Sequence, residues 1–320
     1  MTVQIFVEEW AASYGSPLLF SGDLDDETVP AVMVEDGDDF GRHAGRPSDN
    51  PEGVAFVDGV RRAEASLYQQ CAATGTMIHG AAGAHASGGV LCVPSQRPEY
   101  REVTVSRMVV WGGGLSGALP AVPGGWTWLT HSVDSSEIDA PLKDLQRRMR
   151  KAEAELAERF MGQGYLTVVD GPLTYLRNLD VPVIGFVKTH YRTLLPPQHH
   201  VKVATLGPGE RSSLFRLGED RYSCYLRLLS VPDGANPWHA IVRLELPQSV
   251  GLKAAIDVAD RAAAVLPRFA GVAHCDPRAP QNLQPVGALE DHLRHRLGPA
   301  ALAYRAVRDA AAVLRNSMSA

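Results

Sequence analysis

Val54-Ala55-Phe56-Val57-Asp58-Gly59 and Leu166-Thr167-Val168-Val169-Asp170-Gly171 are two short apolar runs that end in the same dipeptide. A continuous apolar run of this length, bounded by Gly, reads as a buried strand. Each run carries one carboxylate where the strand would emerge. Repeated once, the arrangement can bring Asp58 and Asp170 to one edge of a sheet. A pair of carboxylates at a strand edge can hold divalent metal against a phosphodiester. Asp-Gly is also a good turn dipeptide, so the rest of the chain has to separate the two readings.

Outward from the first run, residues 60–73 continue with Arg61, Arg62 and the apolar Leu67 and Tyr68. Residues 77–79 and 90–93 bracket a Gly/Ala-rich connection, and 103–111 alternates as a further strand. This pattern predicts a meander of three strands or more starting at Asp58. Residues 112–125 are a Gly/Pro-rich loop, and 132–137 offer capping residues before a helix. In that helix Leu142, Leu145, Met149, Ala152, Leu156 and Phe160 form one apolar stripe, which Gly162 and Gly164 end. Beyond the second run, 181–188 is an apolar stretch ending in charge. Residues 201–206, 222–229 and 240–246 read as strands, and 254–266, 286–297 and 300–314 as helices. The succession predicts an α/β chain, a mixed sheet with helices packed on it.

The 320 residues are 45% hydrophobic and 21% charged, an ordinary globular composition. A net charge of -5 does not advertise a nucleic-acid partner. The charge is uneven, however. Acidic residues crowd 8–52 (Asp23, Asp25, Asp26, Glu27, Glu35, Asp36, Asp38, Asp39), whereas Arg is plentiful across 147–151, 211–227 and 294–296. Residues 1–50 therefore read as an acidic N-terminal extension, with one short helix and a solvated lead-in, before a main domain over 51–320. Cys71, Cys92, Cys224 and Cys275 form no Cys-x-x-Cys pair, which argues against a zinc knuckle or a disulfide framework. The first residues lack a basic start and a long apolar stretch, so no signal peptide is expected. No uncharged run approaches the roughly 20 apolar residues that span a bilayer. A cytoplasmic protein with no membrane partner is the expectation.

Several residues could join the two Asp-Gly sites. Lys188, at the lip of a strand, could neutralise a phosphate or a leaving oxyanion, or simply end the strand in solvent. Glu153 lies at the edge of the helical stripe, and a carboxylate facing a core has to be exposed, paired or metal-linked. Glu137 suits the helix macrodipole. Arg211 to Arg227 interleaves basic and aromatic residues, which suits a nucleic-acid backbone with bases on rings, or an ordinary half-exposed strand. The densest polar cluster is His274-Cys275-Asp276-Pro277-Arg278-Ala279-Pro280-Gln281-Asn282. There Asp276 could be a third metal ligand and Arg278 and Asn282 could hold phosphate, or the loop could cap the following helix.

The order of these motifs is similar to that of the NurA nuclease family. It comprises Val-Asp-Gly, a long helix, Val-Val-Asp-Gly-Pro-Leu, Gly-Phe-Val-Lys-Thr-His, Arg-Leu-Glu-Leu-Pro and Asp-Pro-Arg-Ala-Pro-Gln-Asn-Leu, from Val54 to about Ala312. The resemblance implies an RNase H-like mixed sheet flanked by helices, with additional C-terminal strands and helices. It implies Mn²⁺- or Mg²⁺-dependent cleavage of DNA, exonucleolytic in the 5′-3′ direction, endonucleolytic or both. A two-metal site, a homodimer and a HerA-type hexameric ATPase partner in DNA end processing, repair or defence follow with it. Asp58 and Asp170 would then be the central metal ligands and catalytic residues, with Glu153 a further acid. Lys188 and Glu245 match family positions near the site. The region after Gln281 departs from the family pattern and leaves the last ligand between Asp276 and His292. Arg61, Arg62, Arg147, Arg148, Arg150, Arg211, Arg227, Arg278 and Asn282 are the expected DNA contacts. The alternatives are a catalytically inactive RNase H-like docking subunit for a translocase, and an enzyme acting on RNA.

Overall fold

Both Asp-Gly runs are strands, and they lie side by side. In the computed structural model, which describes residues 31–47, 53–70, 75–176, 183–190 and 193–318, the described strands join one twelve-stranded mixed sheet. In chain order they are β1 (Val32–Met33), β2 (Arg42–Ala44), β3 (Val54–Gln70), β4 (Met77–Cys92), β5 (Glu99–Trp111), β6 (Leu129–Ser132), β7 (Leu166–Asp170), β8 (Val183–Val187), β9 (Glu210–Ser212), β10 (Phe215–Leu217), β11 (Arg221–Arg227) and β12 (Ile241–Pro247). The helices are α1 (Ala140–Gly162), α2 (Pro197–Val203), α3 (Leu252–Val265), α4 (Gln284–Leu297) and α5 (Ala300–Met318). No helix among the described residues is long and apolar enough to cross a membrane.

Two compact units divide the chain. The first holds the described residues up to Val57, Val90–Glu99 and Ala157–Ala288. Its sheet runs β1-β10-β11-β12-β8-β7 and then the start of β3. β3 and β7 are parallel, with Val54 opposite Leu166 and Val57 opposite Val169, and β7 is parallel to β8. Burial on both faces explains why these strands are continuously apolar instead of alternating. The partners from β8 to β12 and onward are antiparallel. Ala31, Met33, Phe40, Val203, Phe215, Tyr225 and Ile241 close one core of this unit.

The second unit holds Asp58–Gly89, Tyr100–Leu156 and Leu289–Ala320. Here β3, β4 and β5 are neighbours in sequence order, as the meander pattern predicts, and β6, a strand the sequence reading did not place, joins β5 in parallel. Val109, Trp111, Trp128, Val307 and Ala310 form a core cluster in this unit. Along α1 the predicted stripe is buried at Leu145, Met149, Leu156 and Phe160.

Several expectations change. The first Asp-Gly does not end its strand: β3 runs on through Asp58 and Gly59 for 17 residues. The Gly/Ala-rich stretch expected to connect two strands is the middle of a 16-residue β4, buried along nearly its whole length. Small residues are needed there because a Cβ on Gly83 would meet Leu145 at 2.6 Å and one on Gly80 would strike the Trp111 ring. Residues 201–206, expected as a strand, are the end of α2 and a turn. The Pro196-Pro197 pair starts that helix, Pro being well suited to a first turn whose amides lack helical partners. α1 begins at Ala140, after a turn in which the Glu137 amide donates to Ser135 Oγ.

Residues 31–47 of the acidic segment carry β1 and β2 and send Glu35 to Arg211. Residues 1–30 and 48–52, with the expected N-terminal helix and the acidic residues up to Glu27, lie outside the described residues, as does Cys71.

Candidate metal centre

The β3–β7 register sets the site. Val57 pairs with Val169, and the next residue on each parallel strand is an aspartate, Asp58 and Asp170. Two strands in parallel with the same apolar-then-acid pattern deliver both carboxylates at one level, because side chains at equal register share a face. Gly171 follows in the left-handed region at φ 109°, which lets the chain leave β7 sharply after Asp170.

Asp170 heads a chain of hydrogen bonds through the first unit. Lys188 donates from Nζ to Asp170 Oδ2 at 2.7 Å and to Asn282 Oδ1 at 2.8 Å. Asn282, fully buried, donates from Nδ2 to Asp276 Oδ2 at 2.5 Å. Asp276 in turn accepts from the Arg278 amide at 2.8 Å and from its guanidinium. Burial would raise the Asp276 carboxyl, but the Asn282 and Arg278 donors outweigh it and hold the group below its usual range. Five of the residues singled out in the sequence are thus brought together, and Asp276 serves as the anchor of Asn282.

Glu245 stands behind this chain. It is buried and accepts from Arg243, from Arg221 and from the Leu173 amide at 3.0 Å, tying down the segment that follows Asp170. Burial alone would push its carboxyl up. Arg243, Arg221 and the Leu173 amide reverse that, and the group stays ionised.

In the second unit Glu153 is 1% exposed and accepts from Arg150 at 2.9 Å. Its Oε1 sits so close to β3 that a Cβ on Gly59 would overlap it. The Gly of the first Asp-Gly is therefore there for close approach of a carboxylate, not for a turn.

Asp58, Asp170 and Glu290 each offer an oxygen, and the three atoms lie within 4.8 Å of one another. Asp58 and Glu290 are buried, Asp170 half-buried. Glu290 also accepts from Arg294 at 3.0 Å. The third acid of this group is Glu290 on α4, where the sequence left Asp276 or His292; Asp276 is engaged by Asn282 and Arg278, and His292 stacks on Tyr100. The signal for Glu290 was present: it lies beside Val286, Leu289, Leu293 and Leu297 on the buried stripe of its helix. The test applied to Glu153, an acid on a core-facing stripe, picks it out. An all-oxygen, anionic donor set suits Mg²⁺, Mn²⁺ or Ca²⁺ and does not choose among them.

The arginines divide. Arg211 is fully buried, held by Glu35 and Asp260 at 2.5–2.7 Å, and these acids raise its pKa against the cost of burial. Arg227, also buried, donates to the carbonyls of Leu206, His239, Ala204 and Pro237. Neither guanidinium reaches solvent, because each satisfies an interior that would otherwise hold unpaired groups. Arg62 caps the end of α4 through the Leu297 and Gly298 carbonyls. Arg61 donates to Gln146, and burial together with Arg150 lowers its pKa. Arg147 and Arg148 share Asp144, with Arg147 the more exposed.

No family model and no curated protein matches this chain.

Proposed function

We propose that this chain is a divalent-cation-dependent deoxyribonuclease of the NurA kind, with an RNase H-like body. It would cut DNA as a homodimer fed by a HerA-type hexameric translocase, in end processing, repair or defence. One observation carries the reading: the parallel register that brings Asp58 and Asp170 to one level, grouped with Glu290. The three β3-β7-β8 neighbours and the sequence-ordered strands beside them support the RNase H-like comparison.

Bound there, Mg²⁺ or Mn²⁺ would lower the pKa of an attacking water and stabilise the departing oxygen. The chain's own residues would do the rest. Asp58, Asp170 and Glu290 would hold the cation, and Glu153 would add a fixed negative charge behind β3. Lys188, steered by Asn282, would set a positive charge beside Asp170 where the scissile phosphate gathers charge. Arg147, Arg148 and Arg150 would meet the DNA backbone, with a steep salt dependence. The test is cleavage of labelled single- and double-stranded DNA in Mn²⁺, in Mg²⁺ and in chelator.

A second reading, a non-catalytic docking subunit, is favoured by the ion pairs of Lys188 with Asp170 and of Arg294 with Glu290, which neutralise much of the triad without metal. Translocase binding with no cation uptake and no cleavage would select it.

A further inference from the structure

Tyr100, the second residue of β5, is 45% exposed although its ring is held in place. The His292 imidazole of α4 lies parallel to it, 4.1 Å between centroids with 8° between planes. The Tyr225–Trp238 pair, by contrast, meets edge-on at 88°, and the buried Phe215–Tyr225 pair is tilted at 31°. A parallel stack at the surface is a different arrangement. It covers one face of the tyrosine, and the residue still exposes 45% of its surface.

Two further features surround the stack. Glu102, two residues on in β5, sits at φ 49°, a left-handed conformation that costs a non-glycine residue about 1 kcal/mol and re-aims the strand. The last turn of α4 carries Arg294, His295 and Arg296, all exposed, and Arg101 adjoins Tyr100. Acids stand there too: Glu99, Glu102 and Asp291, the last already paired with Arg294. Arg294 is held by Glu290 and Asp291 and, two residues from His292, belongs to the other side of α4, whereas Arg296 follows His292 by about one helical turn and shares its side.

We propose that Tyr100 and His292 form a platform on which an unpaired nucleobase of DNA stacks, with Arg296 of α4 holding an adjoining phosphate; the choice of DNA rests on the nuclease reading. Bases inside a duplex already stack on one another and offer no face, so the platform selects single strands. His292 follows Glu290 by two residues, about 3 Å along the helix and roughly 200° around it. The platform therefore faces away from Glu290 and grips flanking strand, not the nucleotide being cut.

The experiment uses the full chain in chelator, so that nothing is cleaved, with an oligothymidylate carrying one 2-aminopurine. Wild type and Tyr100→Phe should bind it and quench the probe. Tyr100→Ala should weaken single-strand affinity about tenfold and abolish quenching, with duplex affinity changed less than about twofold. His292→Ala should weaken binding in the same direction. Tyr100→Ala that binds and quenches like wild type overturns the platform while leaving duplex cleavage, and so the nuclease reading, intact. Wild type that binds no DNA in chelator and cleaves none once Mn²⁺ is supplied overturns both.

Discussion

Lys188 Nζ lies 2.7 Å from Asp170 Oδ2, and its second bond, to Asn282 Oδ1, fixes the direction from which the ammonium approaches. The pairing is between strand ends on adjacent parallel strands, so the positive charge sits where β7 delivers its acid. Asn282 cannot rotate freely, because its amide nitrogen is engaged by Asp276. Lys188→Met should lower cleavage roughly a hundredfold. It should also destabilise the fold by about 2–3 kcal/mol, since a half-buried carboxylate loses its partner. Lys188→Arg should restore little, because a planar fork does not fit a point-charge position. Cleavage rates and denaturant midpoints of the two variants check this.

His190 gives a pH dependence with a definite sign. Its ring packs on Tyr225 and Trp238, and Nε2 meets the Ile241 carbonyl at 3.0 Å. Burial first, and then Arg243 and His200, push its pKa down to about 4 against the carbonyl's opposing pull. Between about 4 and 6.5 the unfolded chain binds a proton there and the folded chain does not. Stability from this residue is therefore present above pH 6.5 and lost as pH falls toward 4, by about 3 kcal/mol in total. His190→Gln, which keeps a donor but does not titrate, should flatten the change in unfolding free energy between pH 7 and pH 4.5. An unchanged slope contradicts the assignment.

Arg211 belongs to the fold and not to a DNA surface. Arg211→Met leaves Glu35 and Asp260 buried without their common cation, and should cost about 3–5 kcal/mol. Any DNA affinity of the folded fraction should stay as in wild type. Urea unfolding beside a binding titration separates the two effects; lost affinity at full stability would contradict this placement.

Gly59→Ala tests the carboxylate pressed on β3. Gly59 does not have a positive φ, so alanine meets no backbone penalty. Its Cβ would instead strike Glu153 Oε1 and come within 2.9 Å of Met149 Cγ. The expected cost is about 1–3 kcal/mol, with cleavage reduced as Glu153 moves. Pairing it with Glu153→Ala should return most of the stability, which a thermal-melt comparison of single and double variants reads directly.

The sequence carries some of this plainly. Continuous burial makes β3 and β7 legible as apolar runs, and the α1 stripe and the C-terminal helices follow from their spacing. Elsewhere the deciding partner is remote. The Gly/Ala stretch of β4 reads as a connection until Leu145 and Trp111 are seen to need its missing side chains. Arg211 looks like a surface cation because its acids, Glu35 and Asp260, are distant in sequence, and Arg227 because its partners are backbone carbonyls, which no side-chain pattern reveals. Glu290 was legible by the argument that singled out Glu153. Asp276 belongs to the cluster that reaches Lys188, and there it holds Asn282.

The central claim is that Asp58, Asp170 and Glu290 act as one cation-holding group for DNA hydrolysis. Its most direct test is the Mn²⁺-dependent cleavage of linear DNA by Asp58→Asn beside wild type, with circular dichroism confirming that both are folded. The account predicts cutting by wild type that chelator stops, and a loss of at least roughly a hundredfold in the variant. Wild-type rates from a folded Asp58→Asn would contradict it.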